Sequence, residues 1–153
     1  MVTNRSRPAG IIPTLYYNDV SAAIDWLHGA FGFEERFRYG PPEAPEGAQL
    51  TAGSGAIMLS KARTGQSPDW NDSARLGPPR SGELDIILSV QIEDIDAHYE
   101  RAKAFGMRIL HEPQTYSFGE RQYTAEDVAG YRWAFSESVA NIAPADWGAI
   151  TPR

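Results

Sequence analysis

The chain of 153 residues carries a formal net charge of −6, is 42% apolar and 22% charged, and contains no cysteine. That size and balance describe one globular domain with room for a core. The acidic excess lacks the clustered Lys and Arg of a nucleic-acid surface, and without cysteine there is no disulfide, thiolate nucleophile or thiolate metal ligand.

Residues 11–17 (IIPTLYY) predict a strand, with Pro13 near its start, where a missing N–H is tolerated. Asp19 then precedes a helix over 20–30, because Val20, Ala23, Ile24, Leu27 and Phe31 recur at three- and four-residue steps and Gly32 stops it. In FEERFRY (33–39) the alternation predicts Phe33, Phe37 and Tyr39 on one face of a half-buried strand. PPEAPEG (41–47) is a loop, and 48–52 and 56–62 pair as a hairpin about Gly53-Ser54-Gly55. No helix follows that turn, so it is not a phosphate loop. Residues 63–83 shift to Gly, Pro, Ser and Asp and read as a linker. Loops that long are commonly functional lids or disordered connectors, and this one carries Trp70, unusual for a pure spacer.

From residue 84 the plan repeats. LDIILSVQI (84–92) is a strand, Asp94 caps a helix over 95–105, Gly106 ends it, and MRILHEP (107–113) is the next strand. RQYTAED (121–127) and YRWAFSES (131–138) make a hairpin, and the tail 139–153, with Trp147, is expected to pack onto the body. Asp19 and Asp94 lie 75 residues apart, and Gly32 and Gly106 lie 74 apart (94 − 19 and 106 − 32). A period that long is no solenoid unit. It predicts a single domain over 1–153 built from two βαβββ repeats, about 11–62 and 84–138. The fold class is α+β, with a cupped, largely antiparallel eight-stranded sheet and the helices on its outer side.

The run FGERQYTAEDVAGYRWAF (118–135), together with 13–33, 57–60 and 90–106, resembles the vicinal oxygen chelate superfamily. That superfamily contains glyoxalase I, bleomycin-resistance proteins and extradiol dioxygenases, and the chain looks most like the bleomycin-resistance subgroup. The resemblance implies the fold across the whole chain, but no single activity, since the fold hosts many. It also implies where a divalent metal would sit: one ligand in the first strand and one in the last strand of each module. Spacing from the turn aspartates puts those positions on Ile12, Met58, Ile87 and Ala134. None supplies the imidazole nitrogen or carboxylate oxygen that such a cation takes, and their sequence neighbours are apolar too. No metal and no cofactor are therefore expected.

Stepping by two along the strands from those positions lines the cup. Thr14, Tyr16, Tyr39, Met58, Ser60, Ser89, Gln122 and Thr124 are the candidate ligand-binding residues, with Ile12, Ile87, Gln91, Ala134 and Ser136 beside them and Trp70 closing over. This lining is aromatic, hydroxylic and amidic, and no residue in it stands out as catalytic. His28 and His98 read as residues of outward-facing helices, and His111 as a strand residue away from the cup. Glu34 and Glu35 read as a solvated strand edge, and Arg121 as pairing with Glu120 or Glu126 on the surface. Trp26, Leu27, Phe31, Trp133 and Phe135 are predicted core.

The expected protein is a metal-free, cytoplasmic binder that sequesters a small organic molecule, as in antibiotic resistance. The acidic balance suits a cationic ligand. Apolar runs fall well short of the roughly 20 residues of a membrane span, and MVTNRSRPAG lacks the apolar segment of a signal peptide. Neither nucleic acid nor membrane is expected as a partner. By resemblance the chain forms a homodimer whose strands complete each other's cups. The alternatives are a lyase or dioxygenase with displaced metal ligands, a ligand-free interaction module, or a metal-free isomerase. The last would need Tyr16, Tyr39 or Tyr123 as its acid–base group, a phenol whose pKa of about 10 demands strong tuning.

Overall fold

A computed structural model describes residues 10–63 and 75–152. In chain order the elements are β1 (Thr14–Tyr17), α1 (Val20–Phe31), β2 (Glu34–Tyr39), β3 (Gly47–Ala52), β4 (Gly55–Lys61), β5 (Ile87–Gln91), α2 (Ile95–Phe105), β6 (Arg108–Thr115), β7 (Glu120–Glu126) and β8 (Arg132–Ser138). This is βαβββ twice. The described ends of the linker meet in a small bridge, with reciprocal backbone hydrogen bonds between Arg63 and Leu76.

Both helices begin and end as their sequences dictate. Asp19 and Asp94 accept hydrogen bonds from the N–H groups of Ala22 (3.0 Å) and Ala97 (3.2 Å), meeting donors that a helix start leaves unpaired. Gly32 (φ 74°) and Gly106 (φ 94°) take the left-handed conformation that closes each C-terminus. Asp94 has φ 51°, unusual outside glycine, and a strand carboxylate secures that turn: Glu137 of β8 accepts from the N–H groups of Asp94 (2.9 Å) and Ile95 (3.2 Å).

The eight strands do not form one continuous sheet. They form two mixed four-stranded sheets, ordered β1-β4-β3-β2 and β5-β8-β7-β6, in which β1/β4 and β5/β8 pair parallel and the other pairs antiparallel. A second departure comes from a bulge between Glu35 and Phe37 in β2. One extra residue reverses the alternation, so Phe33 is 3% exposed in the core whereas Phe37 and Tyr39, 40% and 46% exposed, face the other way. In β6, bulges around His111 absorb Pro113, which has no N–H for the ladder, and the strand continues to Thr115.

One core serves both modules. Phe31 of α1 lies 4.7 Å from the Phe135 ring and 5.7 Å from the Trp133 ring, so the first helix packs on the second sheet. The helices also pack on each other. Trp26 meets Phe105 edge-on at 5.7 Å, and a Cβ on Gly29 would overlap the Phe105 ring. They meet along a seam between the modules, while α2 buries only Ile95, Tyr99 and Ala102 and keeps its other face at the surface. The tail packs as expected, with Trp147 against Phe118 at 5.6 Å. No described helix is long and apolar enough to cross a membrane.

Candidate functional site

Each sheet turns one face to the shared core and leaves the other open. On the first, Leu15, Tyr17, Leu50, Ile57 and Leu59 face inward. The register Thr14↔Met58 and Tyr16↔Ser60 sets those four side chains together on the open face. With Tyr39 they line a groove of about 500 Å³, bordered by Glu46, Lys61 and Arg63. Tyr39 reaches it by lying across Gly47, where any Cβ would collide with the phenol. Gln49, 7% exposed, is the residue that sequence reasoning missed. It stands opposite Met58, accepts from the Arg36 guanidinium, and places Nε2 3.4 Å from the Met58 sulfur. The same two-residue stepping applied to β3 finds it.

The other predicted residues lie on the second sheet. Ser89 and Thr124 both flank Ala134, and Gln122 flanks Ser136. Gln122 donates to the Ser136 hydroxyl (3.2 Å), which donates to Glu120 (3.0 Å). Ser89 also borders a cavity of about 280 Å³ beside Pro13, Ala56 and Trp133. The predicted site therefore divides into two half-sites, Thr14, Tyr16, Tyr39, Met58 and Ser60 in one groove and Ser89, Gln122 and Thr124 on the other sheet. Trp70 lies outside the described residues. His111 pairs opposite Thr124 on the open face, beside the cup positions rather than away from them.

The positions implied for a metal do not fit one. Ile12, Ile87 and Ala134 carry no donor atom, and the Met58 thioether, a soft ligand, is already in contact with Gln49. Among the described residues no group of three or more His, Asp or Glu is placed to hold a cation.

The strongly perturbed groups are buried between the modules. Asp127 is 6% exposed. Its Oδ2 accepts from the Tyr17 hydroxyl (2.7 Å) and the Trp133 indole (3.0 Å), and its Oδ1 from the N–H groups of Ala129 (2.9 Å) and Tyr131 (3.0 Å). Burial raises its pKa despite those four donors. Burial, then the nearby carboxylate, pushes the Tyr17 phenol well up. The Tyr131 hydroxyl also accepts from the Tyr16 N–H (2.8 Å) and donates to the Tyr16 carbonyl (3.0 Å), so β1 is clasped by the β7–β8 turn. His98, predicted to face outward, instead sits in the seam, 4.4 Å from the Phe135 ring. It bridges the Phe31 carbonyl and the Tyr123 hydroxyl, and burial lowers its pKa to about 4. Tyr123 is fully buried in the core, which sets it apart from the open faces, and burial pushes its phenol up. Arg121 pairs with Asp96 of α2 (2.9 Å) rather than with Glu120 or Glu126.

The sequence profile of the Glyoxalase/Bleomycin resistance protein/Dioxygenase superfamily matches residues 11–135. The chain belongs to that superfamily. Among solved structures it is similar to TioX from Micromonospora, with 28% identity, TM-score 0.67, and coverage of 85% of this chain and 99% of that one. A superfamily member from Nocardioides matches at 19% identity and TM-score 0.65, covering 94% and 90%. A lactoylglutathione lyase from Agrobacterium tumefaciens matches at 18% and TM-score 0.58, covering 85% and 94%. At those identities the last two support the fold alone. An uncharacterized protein of Mycobacterium tuberculosis is 24% identical over 131 residues, which is 85% of this chain and 75% of its own length.

Proposed function

We propose that this superfamily member binds a small organic molecule on its open sheet faces and sequesters it without metal chemistry. The observation that carries this reading is the groove on the first sheet. It gathers two phenols, two hydroxyls and a thioether over about 500 Å³, within the range of small-molecule sites, and holds no histidine. The ligand is an aromatic molecule whose cation meets the phenol faces and Glu46, away from Lys61 and Arg63 on the rim, and the chain's net charge of −6 favours its approach. The groove uses only the first module, and the second module's half-site lies on a separate sheet. A homodimer in which each half-site meets its counterpart on the partner would close the cup. Ile86 and Ile87, 53% and 52% exposed at the start of β5, would gain cover there.

Calorimetric titration with bleomycin and a panel of cationic aromatic antibiotics tests the proposal, alongside light scattering. The expected results are saturable binding, a loss of about tenfold in Tyr16→Ala and in Tyr39→Ala, and a particle of twice the chain mass. Binding that ignores both substitutions, or no binding across the panel, would refute the groove as the site.

A further inference from the structure

We infer that a second ligand site, for an organic carboxylate, lies at the end of the second sheet around Arg132. Arg108 on β6, Glu126 on β7 and Arg132 on β8 stand side by side in the ladder, both arginines pairing in register with Glu126. One carboxylate thus lies between two guanidinium groups, and Arg108 has claimed it, with Nη1 2.8 Å from Glu126 Oε2. Arg132 is left without an acceptor. Its Nε is buried and has no hydrogen-bond partner. Such a donor costs roughly 1–3 kcal/mol, more when charged, unless something accepts from it.

Arg132 lines a groove of about 950 Å³ that wraps the end of the sheet beneath the 79–84 segment. The charged groups there are Arg80, Arg108 and Arg132 against Glu83, Glu126 and Asp127. Both oxygens of Asp127 are committed to Tyr17, Trp133 and two backbone amides, and Glu126 is committed to Arg108. With those groups committed, Arg80 and Arg132 outnumber Glu83, so the remaining charge in the groove is net cationic, the reverse of the chain as a whole. A guanidinium presents paired, coplanar N–H donors, a fork that matches a carboxylate's two oxygens. Trp26, Met107 and Leu84 on the same walls suit an apolar body attached to that carboxylate. The groove shares no lining residue with the Tyr16–Tyr39 groove, so the two sites fail or stand separately.

Titration of the full chain with benzoate and with inorganic phosphate, at constant ionic strength, tests this. Benzoate should bind saturably, and Arg132→Met should abolish the binding. Arg132→Lys should weaken it by about tenfold, since an ammonium keeps the charge and loses the fork. Glu126→Gln should strengthen it several-fold by releasing Arg108, a gain that misfolding cannot mimic. Tyr16→Ala should leave it unchanged. Absence of saturable benzoate binding, tighter binding of phosphate than of benzoate, equal affinity in the Arg132→Lys chain, or sensitivity to Tyr16→Ala would overturn the inference.

Discussion

His98 should make the fold acid-sensitive in a defined window. Its Nε2 lies 2.9 Å from the Phe31 carbonyl, which can only accept, so Nε2 carries the proton and Nδ1 accepts from the Tyr123 hydroxyl. A second proton would have to enter at Nδ1, against that hydroxyl, in a seam walled by Phe31 and Phe135. Burial is the main cause of the lowered pKa; the nearby Arg101 adds to it, while the Phe31 carbonyl opposes it. The folded value is about 4 against 6.5 in the ordinary imidazole. Because the folded value is depressed, the unfolded chain takes up the proton first. The contribution is full above pH 6.5, drains as pH falls from 6.5 to about 4, and levels off below. At about 1.4 kcal/mol per tenfold, the window is worth roughly 3 kcal/mol. Urea unfolding from pH 7.5 to 4 on the native chain and on His98→Gln isolates it, because every other titrating group is common to both. The native chain should lose roughly 3 kcal/mol more than the variant across that window. Parallel profiles, or a His98 resonance titrating near 6.5, would refute the reasoning.

Tyr17→Phe removes one of the four donors to Asp127 while keeping the ring's shape. It should cost about 2 kcal/mol, as a hydrogen bond to a buried charge does, and lower the melting temperature by roughly 4–8 °C for a chain of this size. A change under about 1 °C would mean that Trp133 and the two amides suffice. Gly119→Ala should destabilise by roughly 1–3 kcal/mol, because the position has φ 86° and its Cβ would run into the Ala140 carbonyl oxygen; thermal melting that matches the native chain would contradict that packing.

The sequence revealed the fold wherever local chemistry specifies it. The spacing of Val20, Ala23, Ile24, Leu27 and Phe31 made a helix, aspartates capped both helices, and glycines with positive φ ended them. The departures all depend on distant partners. Nothing within FEERFRY announces the bulge that turns Phe33 inward and Phe37 outward; it is set by pairing with β3. His98 reads as an outward helical residue until Phe31, 67 positions earlier, packs across the seam. Arg121 finds Asp96 on the neighbouring helix, not the acids beside it in sequence. The cup residues follow the same rule. Stepping by two located Thr14, Tyr16, Met58 and Ser60, because register within one sheet preserves alternation. It placed Ser89, Gln122 and Thr124 in the second module but could not foresee that they would form a half-site apart from the first groove, since that follows from how the two modules pack.

The most direct test of a metal-free site is elemental analysis of the purified chain, with thermal unfolding repeated in Mn²⁺, Ni²⁺, Zn²⁺ and Fe²⁺. With Ile12, Met58, Ile87 and Ala134 at the ligand positions, the purified protein should hold only traces of metal and gain no stability from any of the four ions. A stoichiometric metal whose addition raises the melting temperature by mass action would contradict it.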